Sequence, residues 1–175
     1  MPETGLMHVF LTGARQVGKS WAVRRTAEAL GLPCRGFLTR FLAGEKGSSA
    51  LYMVPPDQPD LADESHLVAV REDEKMLPLP GRFDTLGVQL LREAGEHQEA
   101  LILMDELGHL EKDAPLFQQA ILERLDGNIP VLGVLRQGQP WHGFIISHPR
   151  VRVLTVTEEN RNGIEHEIMR LLREE

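Results

Sequence analysis

The sequence predicts an α/β fold, a three-layer sandwich with helices on both faces of a mainly parallel β-sheet and an added antiparallel hairpin. Two observations predict this class. Short apolar segments of strand length alternate with segments of helical periodicity, which is typical of parallel strands joined by crossover helices. Two other apolar segments are joined by a short Gly-containing turn, which favours an antiparallel pair. The 175 residues are expected to form one domain, 1–175.

The individual elements follow from apolar spacing and from Gly and Pro at their ends. The predicted strands cover residues 8–12, 35–42, 48–54, 66–71, 100–104, 130–135 and 151–156. The predicted helices cover residues 18–30, 84–96 (opening at Asp84), 113–126 and 160–174. The hairpin consists of 35–42 and 48–54 around the turn 43–47. Residues 55–64 are rich in Pro and Asp and predict a loop, and residues 75–83 are predicted to be irregular.

Composition excludes several classes of function. The net charge is −7, and Lys and Arg are dispersed apart from Arg24 and Arg25, so no nucleic-acid footprint is evident. No apolar run approaches the ~18 residues of a membrane span, and the first ten residues lack the pattern of a secretory signal. The single cysteine, Cys34, agrees with a reducing compartment. We therefore expect a cytoplasmic protein without a membrane partner; the sequence leaves a protein partner unknown.

A phosphate-binding loop is the strongest motif in the chain. Residues 13–20, "GARQVGKS", fit G-x-x-x-x-G-K-[ST] between a predicted strand and a predicted helix. In such a loop the backbone amides and the helix N-terminus bind phosphate, the lysine lies between the β- and γ-phosphates, and the Ser hydroxyl binds Mg²⁺. The sequence therefore predicts Mg²⁺ and a nucleoside triphosphate as ligands. The expected nucleotide contacts are Gly13, Ala14, Arg15, Gln16, Val17, Gly18, Lys19 and Ser20. Lys19 is also expected to be a catalytic residue.

Two acids follow the apolar strand 100–104. Asp105 at the strand end is expected to complete the Mg²⁺ site with Ser20. Glu106 is expected to act as the catalytic base that activates a water for in-line attack on the γ-phosphate. The alternative is a pair of solvated acids at a strand end. A glutamate beside the metal ligand favours water as the phosphate acceptor, so the predicted activity is nucleoside triphosphate hydrolysis to diphosphate and phosphate.

Arg136 ends the predicted strand 130–135. If this strand lies between the strand before the phosphate loop and the strand before Asp105, its tip faces the γ-phosphate. Arg136 would then stabilise the charge that develops during hydrolysis, a catalytic role. The alternative is a solvated arginine, or one paired with Glu106 or Glu111.

Two other functions stay open. A nucleotide or small-molecule kinase would transfer the phosphate to another acceptor; it usually needs an Arg-rich lid, and the chain has no Arg-rich insert. A nucleotide-dependent switch would bind nucleotide with little turnover and use the hairpin or the loop 55–64 to contact a partner. The seven histidines form no metal-binding motif, and no motif surrounds Cys34.

Taken together, the motifs resemble the cancer-related nucleoside-triphosphatase family, small P-loop proteins with RecA-like or AAA-like cores. Residues 105–111, "DELGHLE", match the family's D-E-[IL]-G-x-[ML]-E, and its late T-x-x-N-R is matched by Thr157, Asn160 and Arg161. The resemblance spans most of residues 8–165 and is weakest between 40 and 80. It implies slow, Mg²⁺-dependent hydrolysis of several nucleoside triphosphates.

The late motif and one departure from the family lead to further expectations. Asn160 and Arg161 are expected to contact the base, with helix N-capping as the alternative role of Asn160. Glu111 is expected to orient Lys19 or Arg136, or else to be a helix-entry acid. Trp21 stands where the family often has a second hydroxyl, which implies lower nucleotide affinity, and its ring is expected to pack between helix and sheet.

Overall fold

The computed structural model describes residues 7–44 and 48–173. In this part of the chain, eight strands form one sheet in the order β5-β4-β3-β2-β6-β7-β1-β8. The strands are β1 (His8–Thr12), β2 (Cys34–Ala43), β3 (Ser49–Val54), β4 (Leu67–Glu72), β5 (Lys75–Pro78), β6 (Leu101–Leu107), β7 (Val131–Leu135) and β8 (Val151–Thr155). The helices are α1 (Lys19–Leu30), α2 (Val88–Ala94), α3 (Pro115–Leu125), α4 (Gly143–Ile146) and α5 (Ile164–Leu172).

The parallel part of the sheet contains β2, β6, β7, β1 and β8 as successive neighbours. Leu132 of β7 pairs with Val9 of β1 on one side and with Leu103 of β6 on the other. The strand that ends before Arg136 therefore lies between the other two strands of the predicted site. Because parallel strands end at one edge of the sheet, the loops after β1, β6 and β7 lie side by side.

The antiparallel part confirms the hairpin prediction and extends it. β2 and β3 pair antiparallel from Leu38 opposite Val54 to Ala43 opposite Ser49. Residues 45–47 of the predicted turn lie outside the described residues. β4 and β5 add two further antiparallel strands.

The prediction of an irregular segment at 75–83 is wrong for its first four residues. Lys75–Pro78 forms β5, which pairs with β4 through a tight turn at Asp73 and Glu74. Both turn residues have positive φ, as a two-residue hairpin turn requires. Pro78 is tolerated because β5 is at the edge of the sheet.

Helices cover both faces of the sheet, which confirms the three-layer prediction. α1 and α5 pack together on one face, with Val23 and Ile168 in the apolar core beneath them. α2 and α3 pack on the other face, where Leu91 and Phe117 are buried. No helix formed by residues 7–44 and 48–173 is long and apolar enough to span a bilayer.

Two helix predictions need correction at their ends. The helix predicted over 84–96 begins at Phe83 as a π-helical turn, Phe83–Gly87, and continues as α2 only to Ala94. Asp84 caps a different helix, since its Oδ1 accepts a hydrogen bond from Phe117 N in the first turn of α3 at 2.9 Å. The helix predicted over 160–174 begins at Ile164, because the preceding residues form a turn that ends at Gly163.

Candidate functional site

The phosphate loop connects β1 to α1 and is built on special backbone geometry. Gly13 has φ 145°, and a Cβ there would lie 2.6 Å from the carbonyl oxygen of Val156, so only glycine fits. Gln16 also has positive φ, 60°. Val17 is buried in the core and anchors the middle of the loop, so its backbone alone is available to a ligand.

α1 begins at the end of this loop without a side-chain cap. Its N-cap is Gly18, with φ 115° and no capping hydrogen bond from a side chain. The amides of the first turn are therefore available to an anion. Lys19 Nζ donates to the carbonyl oxygen of Gly13 at 2.7 Å, which holds the ammonium group over the loop. Ser20 follows as an exposed hydroxyl.

The two acids predicted after a strand at 100–104 lie within β6, which continues to Leu107. The pairing of β6 with β7 shifts register between Met104 and Leu107, which marks a β-bulge at the two acids. A bulge changes the direction in which neighbouring side chains point. Glu106 has φ 44° and is exposed. Positive φ is unusual for this residue type and is a feature of strained functional segments.

Asp105 faces β2. Its Oδ2 accepts hydrogen bonds from Thr39 N at 3.3 Å and from Thr39 Oγ1 at 3.4 Å. Burial raises the pKa of this carboxyl above its usual value, and the Thr39 hydrogen bonds oppose that shift. Thr39 was not foreseen from the sequence, because only the pairing of β2 with β6 brings residues 66 positions apart into contact.

Glu111 and Trp141 hold the segment that follows Glu106. Glu111 is 3% exposed, and its Oε2 accepts a hydrogen bond from Gly108 N at 2.8 Å. Trp141 Nε1 donates to Gly108 O, also at 2.8 Å. Burial raises the pKa of Glu111 to about 7, and the charge of Glu106 also raises it. The hydrogen bond from the Gly108 amide and the charge of Arg136 lower it.

Arg136 emerges from β7 beside this segment. Its N–H donates to Leu107 O at 3.0 Å, and its side-chain Cδ would lie 3.4 Å from a Cβ added to Gly108. The exposed side chain thus runs along the acid segment. The strand order meets the condition under which Arg136 was expected to face the phosphates.

One cavity of about 740 Å³ brings these groups together. Its polar lining includes Gly13, Arg15, Gln16, Gly18, Lys19, Ser20, Glu106, Glu111 and Arg136. Further lining residues come from α1 and from β2, β3 and β5: Trp21, Thr39, Phe41, Leu51 and Met76. Ala14, Val17, Asp105, Asn160 and Arg161 lie outside this lining.

The donors around the loop fit Mg²⁺ in chemistry. The Ser20 hydroxyl and the Asp105 carboxylate are hard oxygen ligands. Burial disfavours the charged form of Asp105, and a cation bound to the carboxylate would offset that cost. Among the described residues, no group of three or more His, Cys, Asp or Glu is arranged to hold a metal. Mg²⁺ in nucleotide sites needs few protein ligands, because substrate phosphates and water supply the others.

Asn160 and Arg161 lie on the other side of the loop. Asn160 Oδ1 accepts from Thr157 N at 2.8 Å, and its Nδ2 donates to Thr155 O at 2.9 Å. Asn160 therefore stabilises the turn after β8; it does not cap α5, whose N-cap is Gly163. The aliphatic part of Arg161 lies against Gly18, about 3.5 Å from where a Cβ would be.

Trp21 departs from the expectation that it packs between helix and sheet. The side chain is 41% exposed and lines the cavity, and the Arg25 guanidinium lies 4.6 Å from the centre of its ring. Position 21 falls on the outer face of α1, whereas Ala22 and Val23 supply the buried face.

Burial of Cys34 raises the pKa of its thiol, which disfavours the nucleophilic thiolate.

A phosphate loop after β1, an acid pair on β6 and an intervening β7 together define a P-loop NTPase fold. A solved structure of THEP1 from Aquifex aeolicus shares this fold, with TM-score 0.72 and 22% identity over 95% of this chain and 99% of that one. A family model described as NTPase matches residues 8–169, and the chain therefore belongs to the NTPase family.

Curated relatives align along nearly their whole length. The cancer-related nucleoside-triphosphatase homolog of Bos taurus is 29% identical over 93% of this chain and 94% of that protein. The nucleoside-triphosphatase THEP1 of Thermofilum pendens is 28% identical over 91% and 92%, respectively. The sequence resemblance to this family is thereby confirmed.

Proposed function

We propose that this chain is a Mg²⁺-dependent nucleoside triphosphatase that hydrolyses ATP and other nucleoside triphosphates to diphosphate and phosphate. The observation that carries the proposal is the cavity in which the phosphate loop faces Glu106 and Arg136. The family membership and the names of the relatives support the same activity.

The loop and Lys19 bind the triphosphate in this proposal. Uncapped amides at the start of α1 donate to phosphate oxygens, and the Lys19 ammonium exchanges the Gly13 carbonyl for the β- and γ-phosphates. Ser20 and Asp105 would hold Mg²⁺, which would neutralise negative charge of the phosphates. Both Thr39 hydrogen bonds end on Oδ2 of Asp105, so a metal bound at Oδ1 would not have to break them.

Glu106 is the proposed base. Its carboxylate accepts a proton from the attacking water as the water oxygen forms a bond to the γ-phosphorus and the bond to the β-γ bridging oxygen breaks. The released diphosphate carries the leaving-group charge, and Arg136 stabilises the charge that develops on the transferring group. Glu111 and Trp141 keep the Glu106 segment in place through Gly108.

Base recognition is proposed to be weak. Arg161, which lies against the phosphate loop at Gly18, offers a planar face for stacking on a base. Asn160 already uses its amide on the backbone, so its contribution to the base site is the shape of the turn. Broad use of nucleoside triphosphates follows.

We further propose that residues 1–175 act as one domain in the cytoplasm, where a single cysteine is kept reduced.

A nucleotide-dependent switch is the second candidate function, and one observation favours it. Thr39 of the hairpin strand β2 bonds Asp105, the proposed Mg²⁺ ligand. A metal bound at Asp105 would therefore change the charge that Thr39 meets, which is a way to report the nucleotide state to the hairpin. A kinase remains the other alternative, in which a second acceptor replaces water.

Release of free phosphate distinguishes these functions. The protein is incubated with ATP, GTP, CTP or UTP in Mg²⁺ or in EDTA, and a Lys19→Ala variant sets the background. The hydrolase predicts Mg²⁺-dependent phosphate release from all four nucleotides. Consumption of ATP without free phosphate when a nucleoside monophosphate is added would identify a kinase. Tight binding without release, with nucleotide-dependent hydrogen exchange in β2 and β3, would identify a switch.

A further inference from the structure

Part of the cavity lining is apolar. We call Trp21, Phe41, Leu51 and Met76 the apolar wall; they come from α1, β2, β3 and β5 and line the same cavity. Trp21 is 41% exposed and Phe41 is 51% exposed. Four separate elements thus direct large apolar side chains toward one space, which single scattered surface residues do not do.

Cations flank the two rings of this wall. The Arg25 guanidinium lies 4.6 Å from the centre of the Trp21 ring, and that of Arg71 lies 5.7 Å from the centre of the Phe41 ring. Arg25 also pairs with Glu165 at 3.2 Å. Arg71 contacts Phe41 but does not itself line the cavity, and no carboxylate of the described residues lies within ion-pair distance of it. Flat apolar faces beside a cation fit an aromatic ring that carries a negative group.

The base of the bound nucleotide is not expected on this wall. β1, which precedes the phosphate loop, lies between β7 and β8 in the sheet. Arg161 follows β8 and lies against Gly18, whereas the wall comes mainly from β2, β3 and β5 beyond β6 and β7. The residues of the wall on β2, β3 and β5 are therefore separated from Arg161 by β6, β7 and β1, and a base at Arg161 leaves them uncovered. Trp21 differs, because it directly follows Ser20 of the loop.

We propose that the apolar wall binds a second small molecule, a planar aromatic compound with an anionic group, beside the bound nucleoside triphosphate. This site goes beyond the proposed hydrolysis, which uses only the polar half of the cavity. The ring packs between Trp21 and Phe41, and Arg71 pairs with the anionic group. The cavity of about 740 Å³ contains both the phosphate loop and the apolar wall, so the second molecule takes the part that the triphosphate leaves open.

The test uses 8-anilinonaphthalene-1-sulfonate as the probe, an aromatic sulfonate that fluoresces in apolar sites. It is titrated into the full chain saturated with Mg²⁺ and the non-hydrolysable ATP analogue AMP-PNP. We expect saturable binding that Phe41→Ser weakens by about tenfold, the scale of losing one large apolar contact. Leu116→Ser is the matched control, because Leu116 is 61% exposed on α3 and lies outside the cavity; it should leave the affinity within twofold.

The charge requirement is tested with Arg71→Gln and with the uncharged analogue N-phenyl-1-naphthylamine. Arg71→Gln should weaken sulfonate binding about threefold to fivefold, the scale of a partly exposed ion pair, and leave binding of the uncharged analogue unchanged. Arg152→Gln, at an exposed position on β8, is the control for loss of a positive charge. Circular dichroism checks that each variant is folded.

Three results would overturn the inference. They are displacement of the probe by AMP-PNP, sulfonate affinity unchanged by Phe41→Ser, and equal loss of affinity in Leu116→Ser. Calorimetry of AMP-PNP alone tests the nucleotide site separately. Absence of AMP-PNP binding would contradict the proposed function, and the probe titration would still decide whether the wall binds an aromatic anion.

Discussion

Replacement of Glu111 by glutamine is expected to change how stability depends on pH. Glu111 is 3% exposed, and burial raises its pKa from 4.5 to about 7. The folded state therefore binds a proton that the unfolded state has already lost between those two values. The stability that this proton contributes is fully present below the unfolded pKa and is lost as the pH rises through the folded pKa.

The magnitude follows from the shift. Each pKa unit corresponds to about 1.4 kcal/mol, so the buried carboxylate costs about 3 kcal/mol once it is ionised. Glutamine at position 111 stays neutral, and its side-chain oxygen can still accept the hydrogen bond from Gly108 N. We expect the stability of Glu111→Gln relative to the wild type to increase by about 2–3 kcal/mol between pH 5 and pH 8.

Urea unfolding followed by circular dichroism at pH 5, 6, 7 and 8 measures this difference. His8 and His142 also titrate abnormally, because burial lowers the pKa of each to about 4, but they are present in both proteins and cancel in the comparison. Glu99→Gln, at an exposed position, is the control for loss of one carboxylate. A stability difference for Glu111→Gln that is constant from pH 5 to pH 8 would refute the reasoning.

Three further predictions concern the phosphate loop and its neighbours. Lys19→Ala should remove most of the affinity for Mg²⁺–ATP in calorimetry, because it deletes the charge facing the β- and γ-phosphates; undiminished binding would count against the loop assignment. Gly13→Ala should destabilise the protein by about 1–3 kcal/mol in urea unfolding, because φ is 145° and the new Cβ meets the Val156 carbonyl. Wild-type stability in this variant would show that the loop relaxes freely. The fluorescence of Trp141, bonded to Gly108 O, should differ between ATP and ADP, whereas that of Trp21 should change similarly with both; an ATP–ADP difference in Trp21 alone would contradict the placement of Arg136.

Local sequence signals predicted the elements around the phosphate loop. A strand of five residues, a Gly-rich loop and a helix are encoded within residues 8–30, and β1 and α1 follow with a one-residue difference at the helix start. The prediction that Arg136 faces the γ-phosphate requires its strand to lie between β1 and β6. The strand order places β7 there. β5 was missed because four residues that include a proline give too short an alternation to recognise.

Contacts between distant segments were not predictable from these patterns. The hydrogen bonds from Thr39 to Asp105 exist only because β2 pairs with β6, and the bond from Trp141 to Gly108 depends on where the chain turns after β7. Trp21 was expected to pack between helix and sheet, yet its side chain lines the cavity. The turn stabilised by Asn160 delays α5 to Ile164, a competition between side-chain and helical hydrogen bonds.

Glu106→Gln tests the central claim, activation of water by Glu106. The amide keeps the shape of the side chain and loses the basicity, so Mg²⁺–ATP should bind as in the wild type while turnover at saturating ATP falls by roughly 10²-fold or more. Glu167→Gln, at an exposed position on α5, is the charge control and should hydrolyse ATP at the wild-type rate. The measurement is phosphate release at saturating ATP, with binding followed in parallel by calorimetry. Wild-type turnover in Glu106→Gln would contradict the assignment of Glu106 as the base.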